Sequence, residues 1–234
     1  MTKRLLRLPG LFVLTATALS GAAAPPPVRW NLSCANREFF TVALVRNTLE
    51  GDLDGELALG TTEKVFYVPE VDPGFGLSVG YGQTRKNGMW MVTFTRSHHG
   101  AAFRGTASSA SYNALEFGGK GYLWTRGPVL PYIQVGFGMP WLHVRDAAER
   151  EGVVSAANYL GLTVSGGGGL LVPLGARTFF TLGANYRFFA GMYAKGPGRG
   201  RDVTNLYIDR TGPRRDIFLK IPGVRLEAGF YYMF

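Results

Sequence analysis

Along residues 222–234 apolar and polar positions alternate without a break. Val224, Leu226, Ala228, Phe230, Tyr232 and Phe234 fill every second position, with Arg225, Glu227, Gly229, Tyr231 and Met233 between them. A period of two belongs to a strand whose successive side chains point to opposite faces. The same alternation recurs near 177–192, 158–173, 129–144, 111–125, 88–98 and 74–84, and more weakly near 55–68. One face of each run is greasy: Phe180, Leu182, Ala184, Tyr186 and Phe188; Ile133, Val135, Phe137, Met139 and Trp141; Trp90, Val92 and Phe94; Phe75, Leu77, Val79 and Tyr81; Leu160, Leu162 and Val164. Such runs are about as long as a tilted strand needs to cross a bilayer.

The connections test the same reading independently. Thr84–Asn87, Arg126–Pro128 and Pro173–Gly175 are short and turn-like, whereas 99–110, 145–157 and 193–221 are long, polar and glycine-rich. Short and long connections alternate along the chain, as they do when tight turns lie on one side of a membrane and loops on the other. The expected fold is all-β, an eight-stranded antiparallel up-and-down transmembrane β-barrel over residues 55–234. Eight strands place both of its ends on the same side.

Residues 1–24 read as a signal peptide. A basic start with Lys3, Arg4 and Arg7 precedes an apolar run from Leu8 to Ser20, which is too short for a spanning helix, and the small residues Gly21–Ala24 offer a cleavage site. Residues 25–54 are expected to be a periplasmic N-terminal segment, in which Arg37–Val45 suits a short strand or an amphipathic helix equally well. Cys34, the one cysteine, is a lone thiol, so no disulfide framework is available. Thirty-three glycines, 13 % aromatic and only 18 % charged residues suit an all-β wall. No segment after the signal reaches eighteen consecutive apolar residues, which excludes helical spans.

Eight strands enclose an interior that side chains can fill, so a broad aqueous pore is not expected. On the inward faces lie Glu116 and Lys120 of the fourth strand, Arg187 of the seventh, and Arg225 and Glu227 of the eighth. Charges there need partners, because desolvation makes a lone charge costly. Glu116 and Lys120 are about 13 Å apart along their strand and should each pair across the lumen rather than with one another. A final hairpin closing near 192 and 222 would set Arg187 opposite Glu227. A plug of ion pairs that holds strand register is the first reading of these charges, and a narrow charge-gated channel is the alternative. The inward glycines, among them Gly183, leave room for water in the second reading.

A lipid-modifying enzyme is a third reading, and the sequence disfavours it. Only His98, His99 and His143 are available, and none stands two residues before a serine, the spacing that outer-membrane lipid A deacylases and phospholipases share. Adjacent residues on a strand face opposite ways, so His98 and His99 are poorly placed to chelate one metal and suit a solvated rim. Gly166–Gly169 lies inside a strand without the lysine of a phosphate-binding loop. No metal, cofactor or catalytic residue is expected.

As a whole, residues 55–234 resemble the bacterial outer-membrane β-barrel family that includes the OmpA transmembrane domain and the opacity-type surface proteins. The resemblance rests on alternation, turn placement and the closing aromatics rather than on a catalytic motif. It implies a monomeric outer-membrane protein with a structural or surface-interaction role. Phe230, Tyr232 and Phe234 resemble the terminal signal that the barrel-assembly machinery reads. The formal charge of +9 falls to +6 without Lys3, Arg4 and Arg7, and much of the excess lies in the last long connection. There Arg199, Arg201, Arg210, Arg214 and Arg215 suit the phosphates of lipopolysaccharide, which arginine grips through paired donors, better than nucleic acid.

Overall fold

The computed structural model describes residues 30–31, 36–58, 65–150, 153–194 and 218–234. Eight strands form the wall: β1 Glu38–Asn47, β2 Gly74–Arg85, β3 Gly88–Phe103, β4 Thr106–Tyr122, β5 Leu130–Arg150, β6 Val153–Pro173, β7 Thr178–Ala194 and β8 Phe218–Met233. Each pairs antiparallel with the next in sequence, and β1 pairs with both β8 and β2, which closes the ring. Connections 48–73 and 195–217 leave the wall at one end, the outer end, and the opposite end is the base.

Closure fixes the tilt. Directly paired residues lead once round the wall from Ala228 through Leu44, Leu77, Arg96, Asn113, Trp141, Leu160 and Met192. The path returns to β8 at Phe218, ten residues nearer the outer end than where it began. A stagger of that size over eight strands inclines each strand by about 40° to the barrel axis. Greasy faces point outward around the whole ring, with Leu44, Phe75, Val135 and Leu162 each about two-thirds exposed.

The strand that completes the ring is β1, and this corrects the expected boundary at residue 55. Residues 38–47, placed in the periplasmic segment 25–54 by sequence, lie inside the wall between β8 and β2. The expected first strand near 55–68 instead belongs to a rim hairpin, Asp54–Ala58 with Val65–Val71, which joins β3 only at Glu70–Ala102 and Val71–Ala101. The physical reason is that β1 is apolar on both faces. Phe39, Ala43 and Val45 are buried inward while Phe40, Val42 and Leu44 are exposed outward, so its period of two is masked.

Two expected outer loops are also strands. Stretches 99–110, 145–150 and 153–157 continue the β3–β4 and β5–β6 ladders, the first of which ends in a turn at 104–105. Arg104 and Gly105 both have positive φ, 50° and 79°, as the tightest hairpin turns require. Beyond the greasy band β4 carries Ser109, Ser111 and Asn113 outward, a composition that reads as loop although the backbone ladder persists. The signal peptide, Cys34 and residues 199–215 lie outside the described residues.

Closure by β1 makes a checkable distinction. Val42→Pro removes a ladder donor and forces a clash within a strand paired on both sides, a loss of about 3 kcal/mol or more. That variant is expected to lose the heat-dependent shift in SDS gel mobility that marks a closed barrel. Leu57→Pro, in the rim hairpin, is expected to keep it.

Candidate functional site

All five inward charges foreseen from the sequence meet in one network at mid-height of the lumen, and each is nearly fully buried. Arg225 of β8 is the hub. Its Nη1 donates to Glu116 Oε2 at 2.8 Å, and its Nη2 lies 3.1 Å from Glu227 Oε2 and donates to Ser78 Oγ at 3.0 Å. Lys120 Nζ donates to Glu227 Oε1 at 3.0 Å and sits 4.1 Å from the centre of the Tyr132 ring. Tyr132 adds a hydroxyl contact to Glu227 Oε1 at 3.4 Å. Charge-assisted bonds of this length in a desolvated interior hold both partners firmly.

The expected Arg187–Glu227 pair does not form, and the register explains why. Arg187 pairs with Gly223, while Glu227 faces Gly183. The hairpin closes at Met192–Phe218, four residues beyond the expected 192 and 222, because β8 continues through Pro222 to Phe218. Arg187 therefore sits higher in the lumen. Its Nη1 approaches Glu116 Oε1 at 3.8 Å and donates to the Tyr112 hydroxyl at 3.1 Å, and its Nη2 donates to Asn47 Oδ1 at 2.8 Å.

Two glycines show how five long side chains fit. A Cβ on Gly183 would fall 2.5 Å from the Tyr132 hydroxyl and 3.2 Å from Glu227 Cγ, and one on Gly138 would fall 2.9 Å from Glu116 Cγ. The space at these glycines is taken by Tyr132, Glu227 and Glu116 rather than left for water. What remains is a cavity of about 20 Å³, lined by Glu116, Gln134, Ser165, Arg225 and Glu227 among others. That volume suits about one water molecule.

Apolar layers seal the network above and below, a feature that the sequence reading did not assign. At the base Phe39, Met91, Tyr122, Leu130, Phe179 and Met233 pack in one cluster. Toward the outer end Leu49, Leu53, Val71, Tyr112, Phe189 and Ile221 pack in another. Leu49, Leu53 and Val71 come from connection 48–73 and its hairpin, so the outer seal needs the segment that follows β1.

His99 ties that segment to the lumen. Expected on a solvated rim, it is buried and inward-facing because β3 runs on to Phe103, while His98 is exposed on the outward face. The main-chain carbonyl of Asp72 accepts from His99 Nδ1 at 2.9 Å, which leaves Nε2 to accept the Ser97 hydroxyl at 2.9 Å. Ser97 in turn accepts from Asn47 Nδ2 at 2.8 Å, so a chain of bonds runs from Arg187 to the backbone of the outer segment. His143 faces outward and bonds Asn158 at 2.7 Å. Among the described residues no group of His, Cys, Asp and Glu is placed to hold a metal. Phe230, Tyr232 and Phe234 are exposed on the outward face near the base.

No protein-family model and no curated protein matches the chain. Solved structures do. The fold is similar to that of Neisserial surface protein A, with 14 % identity and a TM-score of 0.53 over 84 % of this chain and 97 % of that one. It is also similar to outer membrane protein AlkL in lipid bilayers, with 14 % identity and a TM-score of 0.50 over 93 % of this chain and 96 % of that one.

The network predicts unequal couplings. Glu227→Gln leaves Lys120 buried without its carboxylate and is expected to destabilise the folded barrel by about 3 kcal/mol in urea titration. A double-mutant cycle of Lys120→Met with Glu227→Gln is expected to show coupling above about 1 kcal/mol, whereas Arg187→Met with Glu227→Gln, linked only through Glu116 and Arg225, is expected to couple more weakly than that direct pair.

Proposed function

We propose that this chain, an eight-stranded barrel of the bacterial outer-membrane type, is an integral outer-membrane protein with a structural or surface-interaction role and a sealed lumen. The observation that carries the membrane assignment is the outward belt of exposed aliphatic and aromatic side chains on all eight strands. A soluble monomer does not leave so large a contiguous apolar surface in water. The belt supports insertion with connections 48–73 and 195–217 on one side and the short turns at 86–87, 123–129 and 174–177 on the other, facing the periplasm.

The lumen favours a wall over a pore. Ions crossing it would have to break the Arg225, Lys120 and Glu227 contacts and also displace both apolar clusters. Catalysis finds no support in the same interior. Ser97 and His99 are bonded as a nucleophile and base would be, but Ser97 is fully buried and His99 leans on a main-chain carbonyl rather than a carboxylate. The role is then carried by the outward-facing parts. These are the tall β3–β4 and β5–β6 hairpins and the rim hairpin; the arginines of 199–215 we assign, from their chemistry alone, to contact with lipopolysaccharide. The outward aromatics Phe230, Tyr232 and Phe234 suit recognition by the assembly machinery.

Planar-bilayer recording tests the sealed lumen. The wild-type protein is expected to show no stepwise conductance, and Arg187→Ala none either, because both apolar seals remain. Discrete channel events in the wild type, enlarged by Arg187→Ala or Glu227→Ala, would establish the gated-channel reading instead.

A further inference from the structure

On β1–β3 the greasy outer face ends in basic side chains. The outward series of β1 runs Phe40, Val42, Leu44 and then Arg46, and that of β3 runs Trp90, Val92, Phe94 and then Arg96 and His98. Between them β2 presents Phe75 and Leu77. The register sets Leu44, Leu77 and Arg96 in one row and Arg46, Phe75 and His98 in the next. Strand tilt lifts each row as it passes from β1 to β3, so Arg46 and Arg96 reach nearly the same height at the upper edge of the belt. Their Cα atoms are about 12 Å apart, from two strand spacings across and two residues along. Two arginine side chains span that distance with an anion between them.

The arrangement is poised for such an anion. The Arg46 guanidinium lies over the Phe75 ring, with Cζ 5.6 Å from its centre, and so leans from β1 toward β3. Its Nε is buried and makes no hydrogen bond. Among the described residues no carboxylate forms an ion pair with Arg46, Arg96 or His98. Directly below, Leu44 and Leu77 are exposed, and Val79 continues the apolar strip toward the base. Cations above a greasy strip match an amphiphile whose head is a phosphate and whose tail is acyl.

We infer that Arg46, Arg96 and His98 form a binding site on the outer wall for the phosphate of an outer-leaflet lipid, whose acyl chain lies along Leu44, Leu77 and Val79. The site rests on the reading of the barrel as a membrane protein and uses none of the residues of the basic stretch 199–215. Arginine provides the paired donors that a phosphate accepts. The bilayer interface, drier than bulk water, strengthens the contact. A soluble anion would have no use for the strip beneath.

The full chain, folded in detergent micelles, is offered bis-phosphorylated lipid A, the same lipid dephosphorylated, or inorganic phosphate, and bound lipid is counted by native mass spectrometry. Wild-type protein is expected to retain the phosphorylated lipid at least ten-fold better than the dephosphorylated one. Arg46→Ala with Arg96→Ala is expected to cut that preference at least three-fold while leaving the heat-dependent gel shift intact. Retention unchanged in this double variant overturns the site, as does displacement of the lipid by millimolar inorganic phosphate alone. In either case a preserved gel shift leaves the membrane reading standing. A wild-type protein that shows no gel shift and does not fractionate with the outer membrane overturns that reading, and the site with it.

Discussion

An edge strand leaves a row of unpaired amides and carbonyls, so every strand of a closed wall must find a partner on both sides. The pairing of β1 with both β8 and β2 meets that demand, and most of the structure follows from it. Once the ring closes with a stagger of ten residues, strand tilt and lumen width are no longer free. A lumen of that width is filled by side chains. Any ionisable group inside is therefore desolvated and must be paired.

That chain of constraints accounts for the mid-lumen network. Arg225 and Lys120 answer Glu116 and Glu227, and Arg187 is satisfied largely by the neutral oxygens of Tyr112 and Asn47. Three cations face two carboxylates, and stacking of Lys120 on Tyr132 and of Arg187 on Tyr112 spreads the remaining positive charge over aromatic faces. Glycines at 138 and 183 give the long side chains the space that any Cβ would fill. With apolar clusters above and below, the interior holds the strands in register, and interaction with the surroundings falls to the outer surface. There the apolar belt is exposed, and Arg46 and Arg96 stand at its upper edge.

How much of this was legible depends on whether a residue's signal is local. The outward sets of β2, β3, β5, β6, β7 and β8 could be named from sequence because each alternates cleanly over one strand. β1 escaped because Phe39 and Phe40, and then Val42 to Val45, are apolar on both faces. The upper halves of β3 to β6 escaped for the opposite reason: their outward residues there are small or polar, among them Gly100, Ala102, Ser109, Ser111, His143 and Asn158, which look like loop. His99 was misplaced with them, since a strand that stops at residue 98 leaves it on the rim.

By itself the sequence determined the class of fold, the outward faces of six of the strands and which five charges turn inward, because all of these follow from a period of two along single segments. Only the tertiary structure decided which charge meets which. Side-chain pairing across a barrel depends on register, and a slip of four residues in the β7–β8 hairpin moves Arg187 from Glu227 to Glu116 and Asn47. The identity of the closing strand, the two apolar seals and the side-by-side placement of Arg46 and Arg96 likewise join residues far apart in the chain. No local pattern encodes them, because they are set by how the ring closes.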